Sequence, residues 1–197
     1  MEEVPDPTDD LVVSKVPGKR SEAWMAVLST AALLLGAVLA VTAMAMKGLA
    51  HGTIVLTPDK ALRIIFVTVV TTGLTFVIHE GLHGLGMLLC RARPSFGAGI
   101  MATGHPYLFT TSDQHRFTRP QYIVIAALPN VLINGVLIAL ILLGPHSAWW
   151  VVPFAIHLSG GVGDAWLCWA ALTEPSGTLV EDQRGGVRVY RSRPKGR

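Results

Sequence analysis

An all-α, polytopic membrane protein with four transmembrane helices is the fold class that this sequence predicts, and three observations predict it. Hydrophobic residues make up 51% of the chain and charged residues 15%, with a mean hydropathy of +0.49, outside the balance of a soluble domain. Four apolar runs, residues 23–46, 61–90, 121–144 and 148–172, each reach the roughly 20 residues that a helix needs to cross about 30 Å of hydrocarbon. The 16 Lys and Arg are unevenly spread: thirteen precede the first run, join the second to the third, or follow the fourth, and only Lys47, Lys60 and Arg63 fall on the other side. That asymmetry predicts cytoplasmic termini and a cytoplasmic loop between the second and third runs.

Residues 1–20 are acidic at first (Glu2, Glu3, Asp6, Asp9, Asp10) and basic later, contain Pro5, Pro7 and Pro17, and show no apolar period. They are expected to form a disordered cytoplasmic tail. The apolar run that follows is too long for the core of a cleavable signal, so it is expected to stay in the protein. It has no ionisable group between Glu22 and Lys47 and suits an anchoring helix. Thr57-Pro58-Asp59 then reads as a helix start, with Pro in the first turn and a carboxylate at the positive end.

The second run contains His79-Glu80-Gly81-Leu82-His83. Four residues of helix turn through about 400°, so the two imidazoles project from nearly one face, about 6 Å apart along the axis. This HExxH spacing suits one metal ion, with Glu80 free to take a proton from a water that the metal polarises. Imidazoles and a carboxylate in hydrocarbon cost several kcal/mol (about 2–7 for an unpaired polar group) unless paired or coordinated, which favours a site over a chance match. The bland alternative is that the histidines only hydrogen-bond between helices.

Between residues 91 and 119 short apolar pieces flank Gly104-His105-Pro106, predicting a small cytoplasmic β-hairpin whose edge is able to receive an extended segment. His105 and His115 are expected to face solvent. The third run carries Leu128-Pro129-Asn130 and Asn134, and the fourth carries His157 and Gly160-Gly161-Val162-Gly163-Asp164. Residues 178–191, with Gly185-Gly186 at their centre, predict a short C-terminal hairpin ahead of a basic tail. The expected division is therefore 1–20, a transmembrane unit over 21–175, and a cytoplasmic hairpin and tail over 176–197. Cys90 and Cys168 lie near the inner ends of their runs, where a reducing cytoplasm keeps them as thiols.

At 1.5 Å per residue, His83 falls about 12 Å, Asp164 about 15 Å, Asn130 about 16 Å and His79 about 18 Å from the inner helix ends. Asp164 is thus the expected third metal ligand, completing with His79 and His83 a set that leaves a fourth position open. A salt bridge or hydrogen bond between helices is the alternative for this carboxylate. His157 is expected to polarise the scissile carbonyl or stabilise an oxyanion, with a ligand role or structural hydrogen bonding as alternatives.

On His79-Glu80-Gly81-Leu82-His83-Gly84, the loop leading to Leu128-Pro129, and His157 through Gly163-Asp164, the chain resembles the zincin peptidase family of membrane proteins, long carried as a domain of unknown function. The likeness runs over roughly residues 68–191. More distantly it is similar to the site-2 proteases, in which HExxH and a later Asp-Gly element hold zinc within the membrane. Here Ala165 follows Asp164, and His157 stands roughly where that pattern has an Asn.

Residues and resemblance together imply an intramembrane zinc metalloprotease. His79, His83 and Asp164 would hold Zn2+, Glu80 and His157 would be catalytic, and the substrate would be a membrane-embedded or membrane-proximal polypeptide cut near the cytoplasmic face. A non-proteolytic metal-binding scaffold or partner protein is the alternative. Nucleic acid is not an expected partner, since the basic tail reads as a topology signal that touches anionic lipid of the bilayer.

Overall fold

Among the described residues, the chain forms four helical spans and two small antiparallel sheets. The computed structural model describes residues 10–48, 57–100, 106–112, 114–144 and 146–192. In order, the elements are β1 (Asp10–Lys15), α1 (Lys19–Gly48), α2 (Pro58–Leu89), β2 (Ser95–Ile100), β3 (Pro106–Thr111), β4 (Arg116–Thr118), α3 (Arg119–Leu143), α4 (Ala148–Gly160), α5 (Val162–Leu172), β5 (Leu179–Gln183) and β6 (Gly186–Ser192).

Local chemistry sets the helix ends. Pro58 opens α2 with Asp59 in its first turn. Thr118 and Gln121 form a reciprocal capping box at the start of α3, satisfying two backbone donors that the helix itself cannot. Spans Lys19–Ala43, Pro58–Leu89, Arg119–Leu143 and Ala148–Leu172 are long and apolar enough to cross a membrane. Phe66, Val69 and Val77 of α2 stand outward, each more than 60% exposed, a surface suited to hydrocarbon and costly in water.

The fourth span is not one helix. It breaks at Gly161, where an added Cβ would lie 1.9 Å from the Asn130 side-chain oxygen. Only glycine lets α3 and the α4–α5 junction approach so closely, and the break sets His157 and Asp164 on separate helical pieces.

Two packed regions flank that level of the fold. Ala40, Ile133, Leu137, Ile141 and Phe154 join α1, α3 and α4. Met87, Phe117, Tyr122, Ile125, Ala170, Val180 and Val189 join the ends of α2, α3 and α5 to the larger sheet.

That sheet corrects the expected fold. Its order is β1-β6-β5-β4, antiparallel throughout, so the C-terminal hairpin is the centre of four strands rather than an isolated pair. Its turn is where glycine was expected, with Gly185 at φ +81°. The tail expected to be disordered over 1–20 is ordered from Asp10: β1 pairs along β6, with Val12 opposite Tyr190 and Lys15 opposite Val187, and Lys19 and Arg20 already belong to α1. A short β-branched run finds a ready edge in β6, which an isolated reading of the N-terminus cannot supply. Residues 1–9, the 193–197 end of the basic tail, most of the loop before Thr57, and His105 lie outside the described residues.

The hairpin between α2 and α3 has the expected strands, pairing Phe96 with Thr110 and Ala98 with Leu108. Paired residues share a face, and this face turns toward α2: the Phe96 ring fills the space above Gly84. His115, expected to face solvent, is half-buried, its ring 4.6 Å from that of Phe117.

Candidate metal centre

His79 and His83 lie one turn apart on α2, and Asp164 comes from the first turn of α5. Their donor atoms converge. His83 Nε2 is 3.1 Å from His79 Nε2, Asp164 Oδ2 is 3.2 Å from His79 Nε2, and Asp164 Oδ1 is 3.4 Å from His83 Nε2. Ligands about 2.0–2.1 Å from one ion at tetrahedral angles are about 3.3–3.4 Å from each other. The two imidazole nitrogens and the carboxylate, which turns one oxygen to each of them, therefore converge at spacings close to those of zinc ligands, and among the described residues these three make up the group able to hold a metal.

The outer ring nitrogens are engaged elsewhere, which fixes what the inner ones present. His83 Nδ1 lies 3.0 Å from the Ile125 carbonyl, to which it donates. His157 Nδ1 is 2.9 Å from the Asn134 side-chain oxygen, an acceptor, so it also donates. That leaves His157 Nε2 to accept from His79 Nδ1 at 3.0 Å. Both Nε2 atoms then face each other and a carboxylate as lone pairs. Three acceptors converging within 3.4 Å repel one another unless a cation sits between them, so the donor set fits a metal ion on geometry and on proton count.

Asn130 donates to Asp164 Oδ2 at 2.8 Å from α3, orienting the carboxylate. Glu80, half-buried beside His79, accepts a 2.7 Å hydrogen bond from the Thr110 hydroxyl, which also lies 3.1 Å from the Glu80 backbone oxygen. Phe96 and Thr110 thus seat the hairpin on α2 at Gly84 and Glu80, one turn apart.

The structure brings together His79, His83, Asp164 and His157, with Glu80 next to His79 on α2, and it is the contacts of His157 that differ from those expected. His157 is 2% exposed and reaches the group from behind, through His79 Nδ1. With both ring nitrogens engaged, it has no donor to offer a carbonyl, and the expected oxyanion role gives way to one of orienting His79. The helix break at Gly161 is the physical reason, since it turns His157 and Asp164 to different sides of His79. Thr110 was missed. Its sequence signal is weak: one of two threonines that follow Tyr107-Leu108-Phe109 at the end of a hairpin strand.

Outside the spans, Glu174 closes the end of α5. Arg191 grips its carboxylate at 2.6 and 2.9 Å, and Lys15 lies at 2.5 Å, so β1 and β6 are both pinned to the helix bundle. The Arg191 hydrogen bonds, aided by Lys15, hold this carboxyl down at about 2.

A family model described as "Putative zincin peptidase" matches residues 72–179, which takes in His79, Glu80, His83, Thr110, His157 and Asp164. No curated protein and no solved structure matches the chain. The match covers more than half of the 197 residues, and the chain belongs to that zincin peptidase family.

Proposed function

We propose that the protein is an intramembrane zinc metallopeptidase that hydrolyses peptide bonds of membrane-embedded or membrane-proximal polypeptides. The observation that carries the reading is the convergence of His79, His83 and Asp164, with Glu80 next to His79 on α2. His79, His83 and Asp164 would hold the ion. When bound, zinc supplies Lewis-acid polarisation of the attacking water and of the scissile carbonyl. Glu80 takes a proton from the attacking water and delivers it to the leaving amine. Thr110 holds the Glu80 carboxylate in place, and His157 with Asn134 fixes the His79 ring.

Four spans long and apolar enough to cross a bilayer support a setting within the membrane. The distribution of Lys and Arg supports cytoplasmic termini and cleavage near the cytoplasmic face. A substrate has to present extended backbone there, because a helical peptide bond is shielded. An extended segment laid along the β2–β3 hairpin would run beside the strand whose Thr110 touches Glu80.

The scaffold reading calls for closed coordination by four protein ligands. His157 is the natural fourth candidate, and its Nε2 is turned to His79 Nδ1 instead. Substitution Glu80→Gln tests the mechanism: the variant is expected to retain zinc and lose cleavage of a transmembrane reporter in proteoliposomes. Cleavage at the wild-type rate would reject it.

A further inference from the structure

Between the His83 imidazole and the four-stranded sheet lies a cavity of about 30 Å³. Its polar wall is His83, Thr110, Tyr122 and Asp182, and its apolar wall includes Met87 and Ala126. A water needs roughly 10–15 Å³ of such volume and two to four polar partners. The cavity offers both, enough for about two waters.

Asp182 is the unexpected member. It lies on β5 opposite Val187, beside Val180 and Val189 that are fully buried, and is itself 7% exposed. Tyr122 donates to its Oδ1 at 2.6 Å, and Thr111 donates to its backbone carbonyl at 3.2 Å. A carboxylate has about four acceptor positions, and the Tyr122 hydroxyl answers only part of the demand. A tie between α3 and β5 alone would need no carboxylate, since an amide accepts the Tyr122 hydrogen bond as well. Gln183 and the Arg184-Gly185 turn follow directly, so Asp182 is one residue from the surface end of the hairpin.

Peptide hydrolysis forms one C–O bond and breaks one C–N bond, and at neutral pH both hydrogens of the water end on the amine product. One water must therefore arrive per turnover, and no net proton needs to leave. The surrounding spans are apolar, so delivery from the sheet side is the short route.

We propose that this cavity is a water site feeding the metal centre, and that Asp182, set by Tyr122, is the positioning residue that keeps it hydrated. The supply role rests on the peptidase reading; the water site does not.

Hydroxyl-radical footprinting of the purified full chain in nanodiscs separates the two. Radicals form where water is, and Met87 lines the cavity although it is 2% exposed, while Met46 is 73% exposed and serves as reference. Met87 is expected to oxidise within about ten-fold of the Met46 rate, and Ala126→Leu, which fills the cavity, to slow Met87 at least about five-fold without affecting Met46. Leu167→Phe fills the same space from α5 should Ala126→Leu not fold. Met87 protected in the wild type, or oxidised equally in a filled variant, would overturn the water site. On a reporter that the wild type cleaves and Glu80→Gln does not, the filled variant and Asp182→Leu are expected to lower kcat about ten-fold with KM unchanged. Wild-type kcat in a variant whose Met87 has become protected would overturn the supply role. Absence of cleavage by the wild type would instead reject the peptidase reading, with the Met87 result still deciding the water site.

Discussion

The Thr110 hydroxyl donates to the Glu80 carboxylate at 2.7 Å, joining a strand of the β2–β3 hairpin to the residue placed as general base. A hydrogen bond to a charged group contributes about 1.5–3 kcal/mol, and here it also fixes which way the carboxylate points. Thr110→Val, nearly the same shape without the donor, is expected to lower kcat by about ten- to a hundred-fold with little change in zinc content. Thr110→Ser should restore most of the loss. A Thr110→Val enzyme with unchanged kcat would show that the hairpin only covers Glu80.

The run from Asn134 through His157 to His79 makes a separate claim about metal affinity. Removing a group that orients a ligand costs about ten- to a hundred-fold in affinity, whereas removing a ligand abolishes stoichiometric binding. Purified Asp164→Ala is expected to lose its zinc on dialysis. His157→Ala should keep it with an affinity weakened about ten- to a hundred-fold, and Asn134→Ala should weaken it less. Equal loss from Asp164→Ala and His157→Ala, measured by competition with a chelator, would make His157 a ligand.

What the sequence made legible follows from how local each signal is. His79 and His83 are four apart on one helix, so a fixed 100° per residue brings them together whatever the tertiary structure. Asp164 was reachable through helix depth, because counting about 1.5 Å per residue from the expected inner end of each apolar run sets it level with His83. The contacts of His157 were not legible, because they depend on the break at Gly161, where the chain packs against Asn130 of another helix. The four-stranded sheet was hidden for a related reason. It joins β1 to β6 across nearly the whole chain, and β4 has three residues, too few to show alternation. Thr110 and Asp182 acquire meaning only once the hairpin and this sheet have closed on α2 and α3.

Two carboxyls outside the spans set opposite pH limbs of stability. Burial pushes Asp182 from 3.8 up to about 6, against the lowering effect of the Tyr122 and Thr111 hydroxyls. The folded state thus holds this proton more tightly than the unfolded chain. Its contribution is full below about pH 3.8 and is lost as pH rises through about 6. At about 1.4 kcal/mol per pH unit, that is on the order of 3 kcal/mol. Glu174 is the reverse: Arg191 and Lys15 hold it at about 2, so its contribution is present above 4.5 and lost as pH falls toward 2. Unfolding of the protein in nanodiscs, followed by tryptophan fluorescence against pH, should lose its slope between pH 4 and 6 in Asp182→Asn and its acid limb in Glu174→Gln. An unchanged slope in Asp182→Asn would mean that this carboxyl is solvated in both states.

Gly161→Ala probes the contact on which the geometry of the fourth span depends. The added methyl would meet the Asn130 oxygen at 1.9 Å, and Asn130 donates both to Asp164 at 2.8 Å and to the Gly161 carbonyl at 3.4 Å. Relief requires either Asn130 to swing away, which leaves the Asp164 carboxylate unsupported, or α5 to withdraw, which moves it from the histidines. Both routes weaken zinc binding, and overpacking of this kind costs about 1–3 kcal/mol in stability. Asn130→Ala alone should weaken zinc binding modestly by removing one hydrogen bond. In the Asn130→Ala background, Gly161→Ala is expected to cost under about 0.5 kcal/mol, because the atom it would strike is gone. Additive losses across the four proteins of this cycle would mean that Gly161 is needed for the backbone turn itself and not for the approach of Asn130.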